Sequence, residues 1–333
     1  MPRPDLRTLL PAVHVADKWF TAMANNTRAS GWNTRFGPSG AHLFSPRTGL
    51  NILLDEVQVP KHLWSEAPRQ VSIALTNACD LSCGHCYAPK HQASLETKRV
   101  MAWLNELNSH ACMGIGFGGG EPTLHRGLPE LCNYARRHTA MAVTFTTHAH
   151  RVNEGLAARL AGSVDFIRVS MDGVGATYQS MRGRSFDDLA RQLQLVRRLA
   201  PFGINYVVNQ ETVADLEDAV QFAAGVGAIE FLLLPQRRGG NAGDIDLQSS
   251  RRLQHWVEHY RGPLLLTISE SGAEGLPVCN PLIRETGLCA YAHIDASGVL
   301  KRSSFDRFGV PIGTTSILQA LCSLRALGGG EQA

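Results

Sequence analysis

The chain lacks any apolar run near the roughly 18 residues that a membrane-spanning helix needs. Its start, Met1-Pro-Arg-Pro-Asp-Leu-Arg7, lacks the apolar stretch of a secretory signal. A cytoplasmic protein with no membrane partner is the expectation. Charge of one sign is also missing: 32 Lys and Arg against 29 Asp and Glu leave +3 over 333 residues, which gives no electrostatic case for nucleic acid. There is no low-complexity tract and no short-period repeat. With 44% hydrophobic and 18% charged residues the composition is globular, which excludes disorder and coiled coil. Eight cysteines are few for a disulfide scaffold of this length, and a chain this long can bury a core without staples. In a reducing compartment thiols are more often metal ligands or reactive groups.

What is there is uneven. Cys112, Cys132, Cys279, Cys289 and Cys322 are scattered, but Cys79, Cys83 and Cys86 fall in Asn77-Ala-Cys79-Asp-Leu-Ser-Cys83-Gly-His-Cys86-Tyr87. Three thiolates from one loop can converge on one metal centre. Zinc would require a fourth ligand, which His85 or His91 could supply. An iron–sulfur cube held by three thiolates leaves one iron open to a substrate or cofactor. Chance clustering in a loop is the plain alternative.

From residue 69 the chain alternates short apolar runs with helical patterns. The runs are Val71–Thr76, Gly114–Phe117, Ala142–Thr147, Phe166–Met171, Ile204–Val208 and Phe231–Leu234. Helical patterns fall at Leu95–Ser109, Leu128–His138, Glu154–Leu160, Phe186–Leu199 and Ala214–Gly227. This alternation predicts βαβ units and a parallel sheet of the α/β class. Six units are too few for a closed eight-strand barrel and suit a partial (β/α)6 barrel. We divide the chain into an N-terminal extension with a β-hairpin (1–68), the barrel (69–235) and a small α+β C-terminal cap (236–333). The extension's hairpin turns at Pro-Arg-Thr-Gly within Ala41–Asp55. The cap should hold a helix at Gln248–Tyr260, a strand at Leu264–Ile268, a hairpin at Ala290–Ser304 and a helix at Thr315–Leu327.

Ligands of parallel α/β sheets bind at the C-terminal strand ends. There the six runs deliver the cysteine loop, Gly118-Gly-Gly120-Glu121-Pro122, Thr147 with His148 and His150, Ser170 with Asp172, Asn209, and Pro235. The cysteine triplet, followed one strand later by Gly-Gly-Glu-Pro, resembles the radical S-adenosylmethionine (SAM) enzymes over about residues 70–235. The resemblance implies one 4Fe–4S cluster on Cys79, Cys83 and Cys86, with S-adenosylmethionine on the open iron. It implies that Gly119, Gly120 and Glu121 receive the cofactor's amino group, the glycines allowing close backbone approach. Ser170 and Asp172 would reach the ribose, Asn209 and Leu234 the adenine side, and Arg182 or Arg184 the carboxylate. A flavodoxin or ferredoxin-type donor would supply the electron, and a 5′-deoxyadenosyl radical would remove hydrogen from substrate. His85 stands where the family often has an aromatic.

Other motifs carry less. Gly114-x-Gly116-x-x-Gly119 matches a dinucleotide fingerprint, but its first glycines lie within a strand and no helix opens after it. His255-Trp-Val-Glu258-His259 matches an inverted zinc-protease motif, with a half-exposed helix as the plainer reading. Cys112 and Cys132 read as small buried hydrophobes. The cap resembles a degenerate auxiliary-cluster (SPASM/twitch-like) domain: Cys289 is followed by Gly298, but Ser303 stands where a ligand cysteine would be. A second cluster is therefore not expected.

For the substrate, alternation places His293 and Asp295 on one face of the cap hairpin with Lys301 nearby. Lys301 or Arg302 could clamp an acidic group, with His293, Glu285, Tyr291 and His148 as further candidates. The overall likeness is to carboxy-lyases of the cytosylglucuronate decarboxylase type, which act on a small acidic sugar nucleoside in antibiotic biosynthesis. The alternative is a maturase that cross-links or epimerises a ribosomally made peptide.

Overall fold

The computed structural model describes residues 31–238, 243–269, 272–314 and 316–327, with isolated positions between 18 and 23. Six parallel strands form its centre: β4 (Gln70–Thr76), β5 (Gly114–Gly119), β6 (Ala142–Thr147), β7 (Phe166–Ser170), β8 (Phe202–Val208) and β9 (Glu230–Pro235). They are neighbours in chain order, as successive βα crossovers require. Period-2 alternation sorts their side chains. Val71, Ile73, Ile115, Phe117, Val143, Phe145, Ile167, Val169, Ile204 and Phe231 are buried in the core beneath the helices. Ser72, Gly116, Gly118, Thr144, Thr146, Arg168, Ser170, Asn205 and Leu232 lie on the opposite, half-buried face.

The helices pack one apolar stripe each onto that core. They are α1 (Thr97–Ser109), α2 (Leu128–His138), α3 (Glu154–Leu160), α4 (Gly175–Arg182), α5 (Phe186–Leu199) and α6 (Leu216–Gly225). Helix α5 shows why such a segment is helical. Ser185 caps it by accepting from the Asp188 amide, acids open it, Arg197 and Arg198 close it, and Leu189, Leu193 and Val196 face inward. Helix α4 is short and buries only Tyr178 and Met181, so its sequence carries little periodic signal.

The sheet is larger than the six expected strands. β10 (Leu265–Ile268) pairs in parallel with β9, and β11 (Tyr291–Ile294) pairs in parallel with β4. β12 (Val299–Lys301) and β13 (Val310–Pro311) continue it antiparallel, giving ten strands. The strand and hairpin read as a separate cap thus extend the barrel wall at both ends. They cover the free backbone groups that β4 and β9 would otherwise present as edges. Helices α7 (Leu247–His259) and α8 (Ile317–Leu327) belong to the same C-terminal region. Part of the 235–243 loop and the start of the expected 315–327 helix lie outside the described residues.

The N-terminal hairpin is present as β2 (Gly40–Phe44) and β3 (Asn51–Leu54), joined on the other side of β2 by β1 (Asn33–Gly37). Its buried Arg35 binds the Glu285 carboxylate at 3.2 Å and donates to the Ala67 and Cys289 carbonyls. Arg69, just before β4, reaches the same carboxylate at 3.4 Å. Glu285 therefore sits at the N-terminal end of the barrel strands, the end opposite the cysteine loop, where it ties the extension to the barrel. Removing it leaves a buried guanidinium without its partner. Glu285→Ala is expected to cost about 3–5 kcal/mol in urea unfolding, while protein that stays folded keeps its iron.

Candidate active site

The cysteine loop leaves the C-terminal end of β4 and is pinned there by three neighbouring strand ends. Asp80, inside the loop, meets His148 Nε2 at 2.9 Å, Arg151 at 3.5 Å and Arg184 at 3.7 Å. Burial alone would raise the Asp80 carboxyl, but His148 and Arg151 hold it below its ordinary value. His148 Nδ1 accepts from the His150 amide, so its Nε2 carries the proton offered to Asp80. His85 turns to Asp172, 3.0 Å away, after β7. Asp172 is wholly buried: one oxygen accepts from the Val207 amide at 2.8 Å, and the other pairs with Arg182 at 2.5 Å. Arg182 also donates toward Cys83 Sγ at 3.7 Å.

The Gly-Gly-Glu segment is stitched to the same loop. The Gly120 amide donates to the Thr76 carbonyl at 2.7 Å and the Glu121 amide to the Ala78 carbonyl at 2.8 Å. Gly119 has φ +127°, and a Cβ there would stand 2.2 Å from the Thr76 carbonyl oxygen. A Cβ at Gly120 would stand 2.3 Å from the Ala78 carbonyl oxygen. These glycines are needed first so that β5 can approach the root of the cysteine loop. Glu121 is 1% exposed, and its carboxylate accepts from Thr123, Thr147 and the His148 amide. It joins the ends of β5 and β6.

Several expected residues therefore meet at one rim: Cys79, Cys83, Cys86, Glu121, His148, Asp172 and Arg182. Ser170 and Leu234 lie on the half-buried inner face, near the ends of β7 and β9. Asn209 closes the turn after β8, accepting from the Glu211 and Thr212 amides and donating to Gln236. Two candidates are not brought here. Glu285 lies at the far end of the strands, and Arg302 points away from the inner face to donate to the Leu324 carbonyl of α8.

His293 and Lys301 face each other across β11 and β12, but Lys301 is already paired with Asp295 at 2.8 Å. His293 is joined to Tyr291 through Ser72, a link that the sequence does not show. Tyr291 Oη lies 2.5 Å from Ser72 Oγ, which lies 2.7 Å from His293 Nδ1. The pairing of β11 with β4 creates this group, and the strand register alone reveals it. Burial pushes Tyr291 up to about 12 and, with Lys301 nearby, His293 down to about 4. Both are neutral at neutral pH. An unfolded His binds its proton near 6.5, so the unfolded chain takes up more protons between about 4 and 6.5. Stability should fall on acidification through that window and recover as pH rises. In thermal melts from pH 7 to 4.5, His293→Asn should lose less stability than the wild type; identical losses would remove His293 as a source.

The donor set fits an iron–sulfur cluster better than a zinc knot. His85 is held by Asp172, and His91 contacts Asn77 and Ser297 at 3.4 Å. Neither imidazole joins the thiols. Cys79 could share an ion with Asp80 and His148, but these two are bonded to each other. Asp80→Ala should free the loop and lower retained iron several-fold by colorimetric assay, with cluster-free stability changed by about 1 kcal/mol. Cys279, Cys289 and Cys322 are exposed, and among the described residues none belongs to a group able to hold an ion. Ser303 lies in a turn closed by Asp306. Gly114, Gly116 and Gly119 lie within β5 and lead into a 3-10 turn, so no helix N-terminus follows for a dinucleotide. His255, Glu258 and His259 lie on the exposed side of α7.

A parallel partial barrel whose first strand end carries three thiols, stitched to a Gly-Gly-Glu turn, defines a class that mounts an iron–sulfur cluster and an organic cofactor at one rim. Residues 73–223 match the family model described as the radical SAM superfamily, and the chain carries a radical SAM domain. A 4Fe–4S cluster and S-adenosylmethionine are its cofactors. Among curated proteins, the chain is 32% identical over 207 residues to mycofactocin maturase MftC of Mycolicibacterium smegmatis, covering 58% of this chain and 52% of that protein. It is 30% identical over 182 residues to Fe-coproporphyrin III synthase of Methanosarcina barkeri, covering 51% and 45%. It is 26% identical over 206 residues to sporulation killing factor maturation protein SkfB of Bacillus subtilis, covering 57% and 48%. The chain spans about half the length of these relatives. Among solved structures, Streptococcus suis SuiB bound to its precursor peptide SuiA shares the fold, with TM-score 0.72 at 15% identity over 87% of both chains.

Proposed function

We propose that this chain is a radical SAM maturase that modifies a peptide. The observation that carries the reading is the domain-wide match at about a third identity to a mycofactocin maturase, joined by a second maturation protein. The site is consistent with it. When bound, the cluster and S-adenosylmethionine supply one-electron, hydrogen-abstracting chemistry. The chain's own residues hold and enclose them. Cys79, Cys83 and Cys86 bind the cluster, Asp80 and His85 fix their loop, and the inner face below offers hydroxyls and glycines. Ser170, Asn209, Leu234, Gly119 and Gly120 line the cofactor's side of the rim, and a flavodoxin or ferredoxin-type protein delivers the electron.

Decarboxylation of a small acidic sugar nucleoside has no support among the relatives. Its expected clamp is weakened too: Asp295 neutralises Lys301, and His293 is uncharged. Neutral donors suit an amide-rich substrate better than a carboxylate.

The test incubates the reconstituted protein, dithionite and S-adenosylmethionine with three panels: peptides encoded beside its gene, acidic sugar nucleosides, and coproporphyrins. A peptide that raises 5′-deoxyadenosine release and changes its own mass supports the reading. The same result from a sugar nucleoside or a porphyrin, with no peptide active, would replace it.

A further inference from the structure

The three thiols are not equivalent. Cys79 Sγ accepts from the Leu81 amide of its own loop at 3.4 Å. Cys83 Sγ is approached by a guanidinium from another element, Arg182 Nη1 at 3.7 Å, within the range of a hydrogen bond to sulfur. Arg182 is the last residue of α4, where Gly183 in the left-handed conformation ends the helix and releases the side chain toward the rim. Its other terminal nitrogen pairs with Asp172 at 2.5 Å, so the fork spans a carboxylate and a thiol. Asp172 is in turn fixed by the Val207 amide of β8 and by His85, which sits between two of the cysteines. The arrangement is buried: the Arg182 side chain is 13% exposed and that of Asp172 is not exposed at all.

A donor to a ligand sulfur withdraws charge from the cluster. One-electron reduction adds a negative charge to it, so a hydrogen bond donated to a ligand sulfur stabilises the reduced form. We propose that Arg182, oriented by Asp172, donates to the Cys83 thiolate and raises the reduction potential of the cluster, making it easier to reduce. His85 shares the same carboxylate and keeps the Cys83–Cys86 segment at the distance the donor needs. Arg182 is thus a positioning residue for charge at the cluster as well as a candidate cofactor contact. The inference rests on the cluster reading above, but it is measured without substrate or S-adenosylmethionine.

The experiment is an EPR-monitored titration with dithionite of the reconstituted protein, each sample first shown to hold about four irons. Arg182→Gln should move the midpoint to more negative potential. A midpoint in Arg182→Gln equal to wild type overturns the proposal. If Arg182→Gln assembles no cluster, Arg182→Met, which cannot donate, takes its place: a lower midpoint supports the assignment and an equal one overturns it. Failure of both to assemble a cluster also overturns it, because Arg182 would then be needed for assembly rather than potential. A wild type without a four-iron cluster would instead overturn the ligand reading itself, so the two failures are distinct.

Discussion

Replacing Cys83 by Ala should take the iron content of reconstituted protein from about four per chain to near zero, and cofactor cleavage with it. A cube held at three corners cannot be retained by the two remaining thiolates of a short loop. The chain itself should survive. Cys83 is only half-buried, and the loop's anchors are Asp80 on His148 and the backbone bonds from Gly120 and Glu121. Cluster-free Cys83→Ala should therefore unfold within about 1 kcal/mol of cluster-free wild type. Cys132→Ala is the contrasting variant. That thiol is buried in the core, where burial alone raises it far above its ordinary value. Its loss should leave iron intact and cost stability. Iron retained in Cys83→Ala would refute the ligand assignment.

The second large effect is predicted at Gly119. An alanine there meets a left-handed φ of +127° and a carbonyl oxygen 2.2 Å from its Cβ. That oxygen belongs to Thr76, whose carbonyl also accepts from Gly120, so neither strand can yield without breaking the stitch to the cysteine loop. We expect Gly119→Ala to cost about 3 kcal/mol or more in urea unfolding, with iron retention falling in the protein that does fold. Gly118 is the control. A Cβ there meets nothing within 4 Å, and Gly118→Ala should change stability by less than about 1 kcal/mol. Equal effects at the two positions would show that Gly119 has no special structural duty.

The six barrel strands and most of their helices were legible because each carries an unmixed signal: a β-branched apolar run, or an apolar stripe behind a cap. Strand β1 was not legible because its inward residues are polar. Asn33 and Arg35 occupy buried positions, inverting the usual pattern, and their partners lie far along the chain: the Cys112 and Ala140 carbonyls for Asn33, and Glu285 with the Ala67 and Cys289 carbonyls for Arg35. The joining of β10 and β11 to the barrel sheet was equally hidden, since pairing partners leave no mark on local periodicity. At the rim, the three cysteines were visible through their spacing. Asp80 was overlooked although it stands among them, because an acid in a loop reads as solvated until its partners His148, Arg151 and Arg184 are placed. The family resemblance assigns Asp172 to the ribose. Its carboxylate is instead held by Val207, Arg182 and His85, and burial, which would raise it, is overcome by those partners. Glu285 and Arg302 had the right chemistry for a clamp, but the strand direction and the alternation of β12 carry them elsewhere.

We propose that this rim binds S-adenosylmethionine on a three-thiolate cluster and cleaves it. The most direct measurement is 5′-deoxyadenosine by chromatography after the reconstituted four-iron protein is given dithionite and S-adenosylmethionine. Formation above a protein-free control, abolished in Cys83→Ala, is predicted. No 5′-deoxyadenosine from protein holding its full iron, with or without the peptide panel, would contradict it.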